Sequence, residues 1–294
     1  MLLEKIEQFL FDVIGLCVPG FLFLLIPVWI VSIAYDYSIL TIFSTIENLK
    51  IFIENNNNYF NNTILSVMVV LLSYLFGHIV KVLSIRFYDF FKTLFDDNIN
   101  IFTKLIIEKI KLLGKKIRNY FQKFLVLNSI ILIFSRNFNI FINLLKKFLL
   151  DLFIFKPQDY DNSCKLYEEK LVEYLKNQEI IPDKELDKRN YPIYKLSCII
   201  QDNEGIKTLT RTFLAKYNFY RSLAFIAFAN ILFIAYILNF KHAIHTTAIT
   251  ELMYLLILFY FVFHYKYKRY WMLSGNEAVM ALYYYYFLKN KSFK

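Results

Sequence analysis

Residues 9–34 read FLFDVIGLCVPGFLFLLIPVWIVSIA, with Asp12 as the one charge. Over 13–34 there are 22 residues with no ionisable side chain other than Cys17. At about 1.5 Å per residue, a helix of that length crosses the roughly 30 Å hydrocarbon core of a bilayer. A buried helix of a water-soluble domain is usually shorter and keeps a polar face, and this run has none. It marks an integral membrane protein. The apolar run is too long for a signal peptide, no strong basic cluster precedes it and no small-x-small site ends it, so it is expected to be retained. Pro19-Gly20 and Pro27 mark expected kinks inside it.

The rest of the chain arranges itself around that span. A polar loop at 35–62 carries Asp36, Glu47 and Glu54 against Lys50, and includes the tract ENNNNYFNN. A second span follows at about 63–86. The segment 87–220 is the expected soluble part, and it divides by charge. Residues 81–156 hold 14 Lys and Arg against 5 Asp and Glu, a balance of +9, whereas 157–220 hold 10 against 11. Apolar residues recur every three to four positions in the basic half, which predicts amphipathic helices. The run at 124–134 is 11 residues long, too short to span, and suits a core or interfacial helix.

After Lys156-Pro157 a soluble helix is predicted, capped by Asn162 or Ser163. The segment YPIYKLSCII fits strand or helix. From about Glu204 a helix is expected to run unbroken into a third span at 221–240. The loop KHAIHTTA then turns the chain into a fourth span at 249–266. A separate C-terminal helix at 267–294 is expected to start near Ser274 or Asn276.

Basic residues set the orientation. Lys81, Arg86 and Lys92 follow span two, Lys216 and Arg221 precede span three, and Lys266, Lys268 and Arg269 follow span four. The loops left on the other side carry just Lys50 and Lys241. The expected fold is therefore mainly α: a four-span membrane bundle with a mostly helical cytosolic domain inserted between spans two and three. The expected segments are 1–86, 87–220, 221–266 and 267–294, with both termini in the cytoplasm of a bacterial inner membrane.

Several side chains are candidates for function. Ser66, Ser73, Gly77, Lys81 and Ser84 are spaced by seven, four, four and three, forming one small or polar stripe on a Val/Leu/Ile helix. Polar groups facing lipid are costly, so the stripe either lines a pore or packs against another helix through small residues. Tyr74 and His78 flank it as packing residues. Asn230, in mid-span three, is an interhelical hydrogen-bonding residue or a further pore candidate. Asp12 fits a pair with Lys81 or Lys5, or contact with headgroups.

In the basic half, Lys104, Lys109, Lys111, Lys115, Lys116, Arg118 and Lys123 crowd around Tyr120 and Phe121. Cations neutralise phosphates and rings stack on bases, so the cluster suits a nucleotide or oligonucleotide. A juxtamembrane basic segment also binds anionic lipid headgroups or simply marks topology, and that reading stands ahead of the nucleotide one.

Catalytic signatures are absent: there is no Walker loop, G-x-G-x-x-G, H-E-x-x-H or G-x-S-x-G, and no enzyme or cofactor is expected. His242, His245 and Glu251 form an incomplete metal pattern, read as an ordinary polar loop. Cys17, Cys164 and Cys198 are odd in number and widely spaced, which argues against disulfides and zinc.

The opening, with Phe11, Asp12, Gly15, Pro19 and Gly20, resembles the first span of many small bacterial membrane proteins. In plan the whole chain resembles membrane effectors of antiphage defence, among them the channel component of the Hailong system. The resemblance implies an oligomeric channel gated by an oligonucleotide that a nucleotidyltransferase partner makes. It carries no site residues over. A conduit could not be enclosed by one chain with one polar stripe, so this reading expects a homo-oligomer, typically a tetramer, in contact with membrane lipids. The alternative is a non-conducting membrane-anchored scaffold for a cytosolic protein.

Overall fold

The computed structural model describes residues 2–37, 59–96, 108–109, 112, 155, 157–180, 191–204, 209–240 and 244–289. Among these, helices dominate and no strand occurs. The helices are α1 (Leu2–Tyr35), α2 (Tyr59–Phe91), α3 (Asn162–Asn177), α4 (Tyr191–Glu204), α5 (Thr210–Phe240) and α6 (Thr246–Tyr283). A π-helical turn follows α2 at Lys92–Asp96 and another follows α6 at Tyr284–Leu288. Among the described residues, four segments are long and apolar enough to cross a membrane: Val13–Tyr35, Ser66–Leu94, Thr210–Phe240 and Thr246–Leu288. The helical, four-span character expected from the sequence is present.

The chain divides into two compact units, one formed by Met1–Ile85 with Pro157–Lys294 and the other by Arg86–Lys156. The sequence reading grouped 87–220 together. That stretch is divided between the two units after Lys156, where the charge balance changes.

In the larger unit, α1, α5 and α6 meet around Ile30 and Ala34, Ile234 and Ile237, and Ile249, Leu252 and Leu256. The Ile244 N–H donates to the Ala34 carbonyl at 2.8 Å, which ties the α5–α6 turn to the end of α1. Farther down, Val80 of α2 packs on Leu223 and Ile226 of α5, with Leu22 and Phe23 of α1 against them. Two prolines, Pro19 and Pro27, lie inside α1 without ending it.

The expected break between span four and a tail helix does not occur. α6 runs 38 residues, about 57 Å, from the membrane bundle into a second core. There Leu171 and Leu175 of α3, Ile193 and Ile200 of α4, and Val279 and Leu282 of α6 bury one another. The two residues read as helix starters are engaged otherwise. Ser274 Oγ donates to the Trp271 carbonyl at 2.7 Å, and Asn276 Oδ1 accepts from the Asp161 N–H at 2.9 Å. Gly275 admits the chain before α3, since a Cβ there would lie 2.2 Å from the Asp159 carbonyl oxygen.

Two further corrections concern ends. The cap of α3 is Asp161, one residue before the expected pair, in extended backbone with its carboxylate accepting from the Asn162 N–H. The helix expected from about Glu204 starts at Thr210 and runs unbroken into span three as α5, and α4 precedes it. Gln201 Nε2 donates to Ser197 Oγ at 2.7 Å and to Thr210 Oγ1 at 3.3 Å, and Arg211 pairs with Asp202. YPIYKLSCII resolves as helix.

In the smaller unit, Phe155 sits among the rings of Phe87, Tyr88 and Phe91 at centroid distances of 6.3, 5.7 and 5.2 Å. The run at 124–134 and the Asn-rich tract before Tyr59 lie outside the described residues.

Candidate functional site

The stripe on α2 separates into an exposed end and a buried seam. Ser66 is exposed and Lys81 half-exposed, whereas Ser73 and Ser84 are 3% and 0% exposed. Within a helix a buried hydroxyl can satisfy itself on the preceding turn. Ser73 Oγ donates to the Val69 carbonyl at 2.7 Å and Ser84 Oγ to the Lys81 carbonyl at 2.8 Å.

The seam meets α1 backbone to backbone. A Cβ on Gly77 would lie 2.1 Å from the Leu16 carbonyl oxygen, and one on Gly20 would lie 1.8 Å from that of Ser73. Two glycines on facing helices thus allow a contact that any side chain would prevent. Around the seam, Val67, Leu71, Leu75, Ile79 and Val82 are exposed, as are Tyr74 and His78, which pack edge to face at 4.7 Å.

Asn230 is buried on α5. Its amide donates to the Ile226 carbonyl at 2.8 Å, and its Oδ1 has no donor. Of the basic cluster only Lys109 is described, and it is exposed. Lys104, Lys111, Lys115, Lys116, Arg118, Tyr120 and Lys123 lie outside the described residues, as does His242. Among the described residues no three His, Cys, Asp or Glu side chains come together as a metal site.

The sequence reading missed a polar and aromatic network between α5 and α6. Arg221, counted there for its charge, is 7% exposed. Its Nη1 donates to Tyr217 Oη and its Nη2 to Asn218 Oδ1, both at 3.0 Å. The Tyr217 ring lies 5.0 Å from the guanidinium carbon, and 4.9 Å from both the Tyr267 and Trp271 rings. Trp271 Nε1 donates to Asp159 Oδ1 at 2.9 Å. One helical face further, Tyr220 stacks on Tyr270 at 5.4 Å, and Lys216 Nζ sits 5.6 Å from that ring. The available signal was the recurrence of Tyr and Trp at three- and four-residue spacing on both strands of one helical hairpin, at 217–220 and 267–271.

Burial, then the charges of Glu169 and Asp159, hold the Glu168 carboxyl above the usual range. The Lys289 ammonium, with help from Tyr285, holds exposed Glu204 below it. Burial raises the phenols of Tyr160 and Tyr194. No known protein family, curated protein or solved structure matches this chain.

Proposed function

We propose that the chain is a membrane-anchored platform: four spans hold it in the bilayer, and the lobe of α3, α4 and the end of α6 is offered to a protein partner. The observation that carries this reading is the continuity of α6, which serves both cores as one rod. Motion of the lobe against the bundle would have to bend that rod, so the arrangement suits fixed presentation. The seam supports it too, because Ser73, Gly77 and Ser84 are taken up by packing in a single chain. Leu166 and Ile199 lie exposed on the lobe as apolar contact points. The positive-inside rule puts the lobe and both termini in the cytoplasm.

A gated channel is the second reading, favoured by the buried Asn230 oxygen and by the +9 segment that follows span two directly. In that reading subunits assemble, and a nucleotide or oligonucleotide on Lys104 to Lys123 sets the open state. Ion flux into liposomes carrying the purified protein separates the two. A platform gives background flux, and a photocrosslinker at Leu166 captures the same partner repeatedly in cells. Flux that falls in Asn230→Leu, with 260 nm absorbance that nuclease removes from the purified protein, would replace the platform by the channel.

A further inference from the structure

A guanidinium inside a helical bundle is expected to face a carboxylate, because an isolated buried charge is expensive. Arg221 is 7% exposed, yet its protein partners are neutral: the hydroxyl of Tyr217, the amide oxygen of Asn218 and the Tyr217 ring. The group offers five N–H donors. Two of them are used, and Nε is buried with no acceptor. Among the described residues no carboxylate pairs with it. The nearest acid in the network, Asp159, accepts from Trp271, beyond the Tyr217 and Trp271 rings. Elsewhere on the packed helices, Lys216 adds positive charge, and His264, buried one turn from Tyr267, adds no negative charge.

The rings around Arg221 indicate where its counter-charge comes from. Tyr217, Tyr220, Tyr267, Tyr270 and Trp271 form a band across α5 and α6, and Tyr and Trp gather where the bilayer meets water. Phosphate oxygens of lipid headgroups lie at that level. A fork of N–H donors matches them, and a charge-assisted bond is stronger than a neutral one. The Tyr217 hydroxyl accepts from Arg221 and keeps its own proton to donate.

We infer that Arg221 and Tyr217 form a binding site for a phosphate group, supplied by an anionic phospholipid at the membrane surface. The inference rests on the membrane-spanning character of the chain, and not on whether it is a platform or a channel.

The test uses the full chain purified in mild detergent and moved into nanodiscs of phosphatidylcholine, of phosphatidylglycerol, or of phosphatidylcholine with added inorganic phosphate. Thermal unfolding and bound phosphorus are read for the wild type, Arg221→Gln, Arg221→Lys and Tyr217→Phe. The wild type is expected to unfold at a higher temperature in phosphatidylglycerol than in phosphatidylcholine. Arg221→Gln should lose that difference and retain phospholipid roughly ten- to hundredfold more weakly, with Arg221→Lys in between. Should Arg221→Gln fail to fold, Tyr217→Phe keeps the charge and is expected to weaken retention several-fold. A shift reproduced by inorganic phosphate alone supports the site with a soluble source. Equal stability in both lipids for the wild type, or a lipid effect unchanged in Arg221→Gln and Tyr217→Phe, overturns the inference. So does coupling of Arg221→Gln to Asp12→Asn in a double-mutant cycle, which would assign the counter-charge to the chain itself.

Discussion

The contact between α1 and α2 and the lobe of α3, α4 and α6 are built by opposite means. At the seam the buried residues of α2 are Ser73, Gly77, Val80 and Ser84, and the helices touch through backbone at Gly20 and Gly77. In the lobe the apolar core is Leu171, Leu175, Ile193, Ile200, Val279 and Leu282, with Tyr174 against Tyr286 and Phe287 around them. The difference follows from the solvent. Burying a leucine stabilises a contact in water, but lipid tails are as apolar as leucine, so helices in lipid gain mainly from close approach. That is why α2 shows Val67, Leu71 and Leu75 outward and keeps its smallest residues inward.

The largest effect is expected at the seam. Gly77→Leu forces a side chain into the Leu16 backbone, and no rotamer avoids a clash that begins at Cβ. It should separate α1 from α2 at a cost of about 3 kcal/mol or more, and Gly77→Ala should already be felt. Disulfide trapping between cysteines placed at Phe23 and Phe76, whose rings lie 6.2 Å apart, reads this directly. Efficient trapping in Gly77→Leu would show that the glycines do not hold the seam.

In the lobe the same logic inverts, and shortening a side chain should do the damage. Leu175→Ala leaves a cavity against α4 and α6 and should cost about 2–5 kcal/mol. Hydrogen exchange should then rise in α3 and α4 while α1 stays protected. A seam that loosened equally would mean that one core, and not two, stabilises the unit. Removing the cap by Asp161→Ala should cost about 1 kcal/mol and fray the start of α3 alone.

How legible each region was in the sequence follows the same division. The first span needed no partner to be recognised, because 22 residues without charge are decisive by themselves. The stripe on α2 was visible, but its occupant was not: Gly20 lies more than fifty residues away and read as a kink beside Pro19. The continuity of α6 was hidden by a signal of another kind. Lys266, Lys268 and Arg269 were read as the end of a span, and the end of a span says nothing about where a helix ends. Ser274 and Asn276 then looked like caps, although one bonds back within the helix and the other holds the chain before α3. Arg221 was counted for its sign, and its burial depends on Tyr217, Tyr267 and Trp271 meeting across two helices. The candidate basic cluster gains a position for Lys109 alone.

The smallest effect tests whether the lobe is a water-facing core, as the comparison requires. Burial and two neighbouring acids raise the folded-state pKa of Glu168 above its usual value. The folded chain therefore binds this proton more readily than the unfolded one. Stability should fall as pH rises through the window between the usual and the raised value, and the full penalty persists above it. Glu168→Gln removes the charge, so it should stabilise the lobe at neutral pH and make no difference once the solution is acid enough to protonate both states. Glu168 is half-exposed, and solvent screening keeps the gain under about 1 kcal/mol. Glu204 acts in the opposite sense: its pair with Lys289 depresses its pKa, and that contribution is lost as pH falls through the folded value. Lobe unfolding followed against pH for the wild type, Glu168→Gln and Glu204→Gln should show two slopes of opposite sign. A Glu168→Gln gain that did not shrink on acidification would mean that shape, and not charge, decides packing around α3. The lobe would then stabilise itself by close fit, as the seam does.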